Sequence, residues 1–218
     1  MFEFHHTRSV IPTLVEHLKK LPPVELSAGN STGRKRICRE DLGQSFRIYK
    51  WEDRAEMMAE NGLSVVFAET DLQDRLSAHP VNPGKAVQFD EVGVLKNYLL
   101  PDGTLRYTYS ERMYYQIDSI VDILKTHPET RQAYLSIWDP ISDITALEQE
   151  RVPCSLGYHF LLRNGKLNML YLMRSLEVTK CLGNDIYTST RLLEEIAQGV
   201  GVEPGFVQFM VGSMHIFE

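Results

Sequence analysis

The chain has 218 residues, 43% hydrophobic and 24% charged, with 23 basic against 29 acidic side chains and a formal charge of −6. These proportions describe a globular chain that can fill one core, taken as a single domain over 1–218, and the net acidity argues against a surface for a nucleic-acid polymer, which needs clustered cations. No apolar run reaches membrane-spanning length, MFEFHHTRSV has no signal-peptide pattern, and Cys38, Cys154 and Cys181 lack metal-ligand spacing and cannot all pair, so a reducing cytoplasm is the expected compartment.

In chain order, Val10, Leu14, Leu18 and Leu21 recur at helical spacing over Ser9 to Leu21, and Pro22-Pro23 ends the helix. SAGNSTGRKRICR, from Ser27 to Arg39, is a Gly/Ser-rich turn followed by four cations, either a phosphate-binding loop or a solvated basic one. Phe46 to Trp51 reads as a strand, Asp53 to Asn61 as a short helix with Gly62 past its end, and Leu63 to Ala68 as a buried strand. After the turn Val81-Asn82-Pro83-Gly84, Asp90 to Leu100 reads as a helix stopped by Pro101-Asp102-Gly103. Glu111 to His127 is an amphipathic helix with Met113, Ile117, Ile120, Val121 and Leu124 on one side. Arg131 opens the strand AYLSIW, and the polar connection Asp139 to Glu150 presents Val152-Pro153-Cys154. Leu156 to Leu162 and Leu167 to Leu172 flank Asn164-Gly165, a strong hairpin signal. Phe206 to Phe217 is the final strand and carries His215.

The chemistry concentrates around Arg174-Ser175-Leu176-Glu177 and the polar stretch that follows, ending at Asn184-Asp185. Lys166 to Met173 is a strand that delivers Arg174 and Ser175 at its end, where a guanidinium fork suits phosphate oxygens. Asp185 stands at the start of an amphipathic helix, Ile186 to Val200, and is either its N-cap or a ligand-facing acid. Most unpaired cysteines are inert, because a thiol reacts as its thiolate and apolar burial raises its pKa. Cys154 differs in ending a polar loop after a proline.

The wording and spacing of these motifs resemble the thymidylate synthase superfamily. Pro153-Cys154 matches its nucleophile motif, Arg174-Ser175-x-Glu177 its Arg-Ser-x-Asp element, and Asp185 the Asn eleven residues after that arginine. Arg131 in PETRQAYLSIW matches the Pro-x-Ser-Arg-Arg element, with Gln132 in place of the second arginine, and His215 matches the His-x-Tyr element, with Phe217 for the tyrosine. Tyr109-Ser110 takes the place of a Tyr-Gly element, and Ser155 that of the usual His after the nucleophile. The likeness covers residues 101–218 well and the divergent 1–100 poorly.

The resemblance implies an α/β fold of three layers, with a bent mixed sheet that forms a homodimer interface. It implies a pyrimidine nucleoside monophosphate as substrate and 5,10-methylenetetrahydrofolate as cofactor. Cys154 is then the nucleophile at ring carbon 6, Arg174 and Ser175 hold the phosphate, and Arg131 reaches the partner's phosphate. His215 contacts the sugar, Glu177 is the folate-side acid, Glu91 takes part in proton transfer, and Arg34 or Arg36 is an early phosphate arginine. Asp185 reads the base: an Asn complements uracil, whereas an ionised carboxylate only accepts and suits the cytosine amino group. The Met-Arg-Ser wording at Met173 and the Asn184-Asp185 pair resemble the cytidylate hydroxymethylase branch. A CMP or dCMP 5-hydroxymethylase is the expectation, with a thymidylate synthase acting on dUMP and a non-catalytic nucleotide-binding relative as rivals.

Overall fold

The structure, a computed structural model, describes residues 1–26, 36–146 and 151–218, so Arg34 and the end of the 139–150 connection lie outside the described residues. Among the described residues, seven strands form one mixed sheet. They are β1 (Phe2–Phe4), β2 (Pro23–Leu26), β3 (Arg36–Ile48), β4 (Tyr134–Ser136), β5 (Ser155–Arg163), β6 (Lys166–Glu177) and β7 (Glu203–Phe217), in the order β1-β3-β7-β6-β5-β4, with β2 paired to β3 outside that path. β6 and β7 run parallel because α6 (Leu182–Val200) connects them, whereas β5 and β6 form the antiparallel hairpin that Asn164 and Gly165 turn at φ 53° and 73°.

Alternation sorts the sheet into two faces. Leu135, Tyr158, Tyr171, Phe209 and Phe46 align as cross-strand neighbours and are all buried. They pack with Val10, Leu14 and Leu18 of α1 (Val10–Lys19) and with Ile186, Leu193 and Ile196 of α6 in one core. The adjacent rung, Tyr134, His159, Leu170, Gln208 and Arg47, points the other way and stays partly or fully exposed. The alternation slips in both central strands at the same level: Met173 and Val211 are buried, and so are Leu176 and Met214 three residues on. Arg174-Ser175 and Gly212-Ser213 occupy the slip.

Several elements differ from expectation. Leu63 to Ala68 is not a strand. Val65–Arg75 forms the helix α3, capped by Ser64 Oγ, which accepts from Phe67 N at 3.1 Å, and burying Ala68, Leu72 and Arg75. A short apolar run is ambiguous between the two periods, and here the residues beyond Ala68 decide it. Asp90 to Leu100 is not a helix either: the buried Asp90 carboxylate accepts from the backbone N–H groups of Gly93, Val94, Leu95 and Lys96 at 2.6–3.1 Å, and Gly93 has φ 83°. A side chain that captures those donors competes with the helix ladder.

The helix expected over Glu111 to His127 is two, α4 (Tyr109–Met113) and α5 (Ile117–Thr126), with α2 (Arg54–Glu60) the remaining short helix. Between α4 and α5, Gln116 turns its amide onto the backbone of Ser136, accepting from its N–H at 3.0 Å and donating to its carbonyl at 2.8 Å. β6 also continues past Met173 to Glu177, so Arg174 and Ser175 lie inside a strand and not at its end.

Gly212 marks how closely the two strands approach there, since a Cβ would stand 2.8 Å from the carbonyl oxygen of Arg174. Overpacking against backbone costs about 1–3 kcal/mol. Gly212→Ala should therefore lower the thermal midpoint by several degrees, and an unchanged melting curve would contradict the close approach of the two strands.

Candidate active site

Cys154 is exposed immediately before β5, and the loop that carries it is tied to β6 by one arginine. The Arg174 backbone N–H donates to the Cys154 carbonyl at 2.8 Å, and its guanidinium donates to the carbonyls of Pro153 at 2.8 Å and Val152 at 3.3 Å. Its Nη2 then lies 4.0 Å from the Cys154 sulfur. The protein wall behind the thiol pushes its pKa up, Asp185 adds to that push, and Arg174 and Arg151 pull it down. The two cations are thus the groups placed to favour the thiolate.

Behind the cysteine runs a file of hydroxyls. Tyr109 OH donates to Ser155 Oγ at 3.0 Å, Ser155 Oγ and Tyr171 OH are 2.5 Å apart, and Tyr171 OH donates to Asp185 Oδ1 at 3.3 Å. Ser155 follows the nucleophile in sequence, so two hydrogen bonds link its neighbour to the acid on α6. Beneath them lies Arg75, 7% exposed, which donates to Asp71 Oδ2 at 2.6 Å and to Tyr158 OH at 3.3 Å and stands 4.4 Å over the Tyr109 ring. Asn184 donates to the same Asp71 oxygen at 3.3 Å.

Asp185 is not the cap of α6. Cys181 holds the N-cap position and accepts from Asp185 N at 3.0 Å, which sets the carboxyl one turn into the helix. Burial pushes that carboxyl up to about 7, against the pull of Arg75 and the Tyr171 hydroxyl, and Asp71 pushes in the same direction as burial. Burial also raises the Cys181 thiol, so the second cysteine beside the site is held as its neutral form.

Glu177 and His215 are cross-strand partners on β6 and β7, as Ser175 and Ser213 are. The Glu177 carboxylate holds the turn after β6, accepting from Thr179 Oγ1 at 2.6 Å and from Lys180 N. His215 places Nδ1 3.4 Å from Ser213 Oγ and its ring edge-on to Phe217 at 5.0 Å. Burial lowers its pKa, against Ser213, Glu177 and Glu40, which raise it.

Strand register and the start of α6 therefore bring Cys154, Arg174, Ser175, Glu177, Asp185 and His215 to one region of the sheet. Arg131 is exposed ahead of β4, two strands away from β6 in the sheet, with its carbonyl near His159 Nε2 at 3.0 Å. Glu91 is exposed in the irregular segment that replaces its expected helix, while its neighbour Asp90 is the buried acid. Arg36 lies over the Phe217 ring at 5.1 Å. The sequence reading missed Arg75, Asp71, Tyr158 and Tyr171. The first two form an i,i+4 pair that becomes visible only once α3 is read as a helix.

Comparison with known proteins gives the family and the fold. The family model described as thymidylate synthase matches residues 67–218. A thymidylate synthase of Clostridium beijerinckii is 29% identical over 142 residues, covering 63% of this chain and 52% of that protein. A deoxyuridylate hydroxymethyltransferase of Bacillus phage SP01 is 31% identical over 103 residues, 47% of this chain and 27% of that one. The chain spans about half the length, 52%, of the bacterial synthase it matches, and 27% of the phage enzyme. The solved thymidylate synthase of T4 phage superposes with a TM-score of 0.68 at 20% identity, over 96% of this chain and 75% of that one, a likeness of fold.

The raised pKa of Asp185 has a signature in stability. An aspartate in an unfolded chain titrates near 3.9, so the folded protein holds the extra proton between about pH 4 and about pH 7, and stability is lost as pH rises through that window. Asp185→Asn removes this cost, up to about 4 kcal/mol. Thermal melts should show the variant gaining on the parent at pH 8 and the gain shrinking towards pH 4, and a pH-independent difference would contradict the assignment.

Proposed function

This chain belongs to the thymidylate synthase family, and from that premise we propose that it is a pyrimidine nucleotide 5-hydroxymethylase that acts on a cytidine monophosphate. Carbon 5 of a pyrimidine is a poor nucleophile until a thiolate adds at carbon 6, which puts electron density on carbon 5. Cys154 is the thiolate in this reading, and Arg174 serves twice, as phosphate ligand and as the cation nearest the sulfur. Ser175 joins it on the phosphate, His215 takes the sugar, and Arg131 reaches the phosphate in a second copy docked on the open sheet face. When bound, 5,10-methylenetetrahydrofolate supplies the one-carbon unit. The Glu177 oxygens that serve the turn each keep a second lone pair, which fits the N–H donors of a pterin. Water then completes the hydroxymethyl group. Glu91, the proton-transfer acid of this reading, stands exposed in an irregular segment and not on a helix.

The observation that carries the base assignment is Asp185 at the end of the hydroxyl file, with a carboxyl that titrates near neutrality. The neutral acid offers a donor and an acceptor side by side, which matches the cytosine N3 acceptor and amino donor. It also matches uracil, turned over. The ionised form accepts only, so it repels the uracil O4 while it still takes the cytosine amino group and an N3–H formed in the adduct. Discrimination against uracil thus rises as Asp185 loses its proton. The rival reading, methyl transfer to deoxyuridylate, has the name of the bacterial relative in its favour.

Incubation with CMP, dCMP, UMP or dUMP and methylenetetrahydrofolate, followed by mass analysis, separates the two readings. A gain of one CH2O on a cytosine nucleotide is expected, with the cytosine-to-uracil ratio of kcat/KM increasing about tenfold from pH 6 to pH 8, about one pH unit of Asp185 titration on either side of its midpoint. A gain of CH2 on dUMP alone would overturn the reading.

A further inference from the structure

Glu40 has no part in the chemistry described so far, yet β3 sets it against the sugar side of the site. It is the cross-strand partner of His215 in the β3–β7 ladder, and Leu42, two residues on, pairs with Ser213. Ser213 Oγ donates to Glu40 Oε1 and lies 3.4 Å from His215 Nδ1, so the three side chains form one polar cluster on one face of the sheet. Glu40 is partly exposed there, and Oε2 has no hydrogen-bond partner among the described residues. Position 217 is a phenylalanine that lies edge-on to the His215 ring, so the strand brings no hydroxyl at that point.

From this geometry we propose that Glu40, positioned by Ser213 and His215, is the sugar reader of the site, and that it selects ribonucleotides by accepting hydrogen bonds from the vicinal hydroxyls of ribose. The inference rests on the reading of His215 as the sugar contact of a nucleotide site. A carboxylate has two oxygens at the spacing of a cis-diol and accepts from both hydroxyls, as acidic residues do on the ribose of dinucleotides. A deoxyribose supplies one of those donors and leaves a desolvated carboxylate oxygen unpaired, which a polar site penalises strongly. The same carboxylate repels the nucleotide phosphate, so it suits the sugar end of the ligand and not the Arg174 end.

Equilibrium binding of CMP, dCMP, UMP and dUMP by titration calorimetry tests the proposal apart from catalysis and from the base assignment. The ribonucleotide of each base should bind at least tenfold tighter than its deoxy form. Glu40→Ala should bring both ratios to within about twofold of one, and Glu40→Gln, which keeps the size and one acceptor, should leave an intermediate ratio, with thermal melts verifying that both variants fold. Deoxynucleotides that bind as tightly as ribonucleotides, or a ribose preference that survives in Glu40→Ala, would overturn the sugar assignment while leaving the nucleotide site in place. If uracil nucleotides bind tighter at an intact ribose preference, the base assignment fails and this one stands. Binding of none of the four would overturn both.

Discussion

The hydrogen bond between Ser155 and Tyr171, 2.5 Å long and fully buried, is the contact on which the site depends. It joins the first residue of β5 to the middle of β6 and passes the constraint on to Asp185 through the same tyrosine hydroxyl. The thiol and the carboxyl are thereby held at fixed positions on two different elements. Strand register is what makes this possible. A slip of one residue in the β5–β6 hairpin would turn Tyr171 to the opposite face and break the file at its centre. The Asn164-Gly165 turn, far from the chemistry, therefore has a direct bearing on it.

The file stands on an unusual foundation. Arg75 is a buried cation that is paired with Asp71, hydrogen-bonded to Tyr158 and stacked on Tyr109. An isolated charge in such a place costs several kcal/mol, and the carboxylate and the ring of hydroxyls around it offset that cost. Its field then reaches Asp185, whose carboxyl it draws down while burial pushes it up. The near-neutral result is a balance between burial and the neighbouring charge, which is how a fold places an acid where the protein can use both of its forms. The same balance makes the site a weak point in stability, because the ionised carboxyl stays poorly solvated.

Much of this was legible in the sequence, and the parts that were not have a common cause. Pro153-Cys154, Arg174-Ser175 and Asp185 could be read because each depends on residue type and spacing along a contiguous stretch, and the hairpin because Asn-Gly turns have few alternatives. Tyr171 was read only as an apolar strand residue. Its hydroxyl acquires meaning from Ser155 across the hairpin and from Asp185 on α6, and those distances exist only after folding. Arg75 was hidden by the reading of Leu63 to Ala68 as a strand, since an apolar run of that length does not announce its period. Asp90 shows the opposite failure: helix propensity over Asp90 to Leu100 was outweighed by one side chain that takes four backbone donors.

At the centre of this account stands a ring attacked by the sulfur at 154 and identified by the acid at 185. The most direct measurement is peptide mass mapping after incubation with methylenetetrahydrofolate and the 5-fluoro analogue of either CMP or UMP, in which fluorine blocks release of the adduct. The account predicts a nucleotide mass on the peptide that contains Cys154 with the cytosine analogue at pH 8.5, and a switch to the uracil analogue in Asp185→Asn. Labelling of Cys38 or Cys181 instead, or a base preference that Asp185→Asn leaves unchanged, would contradict it.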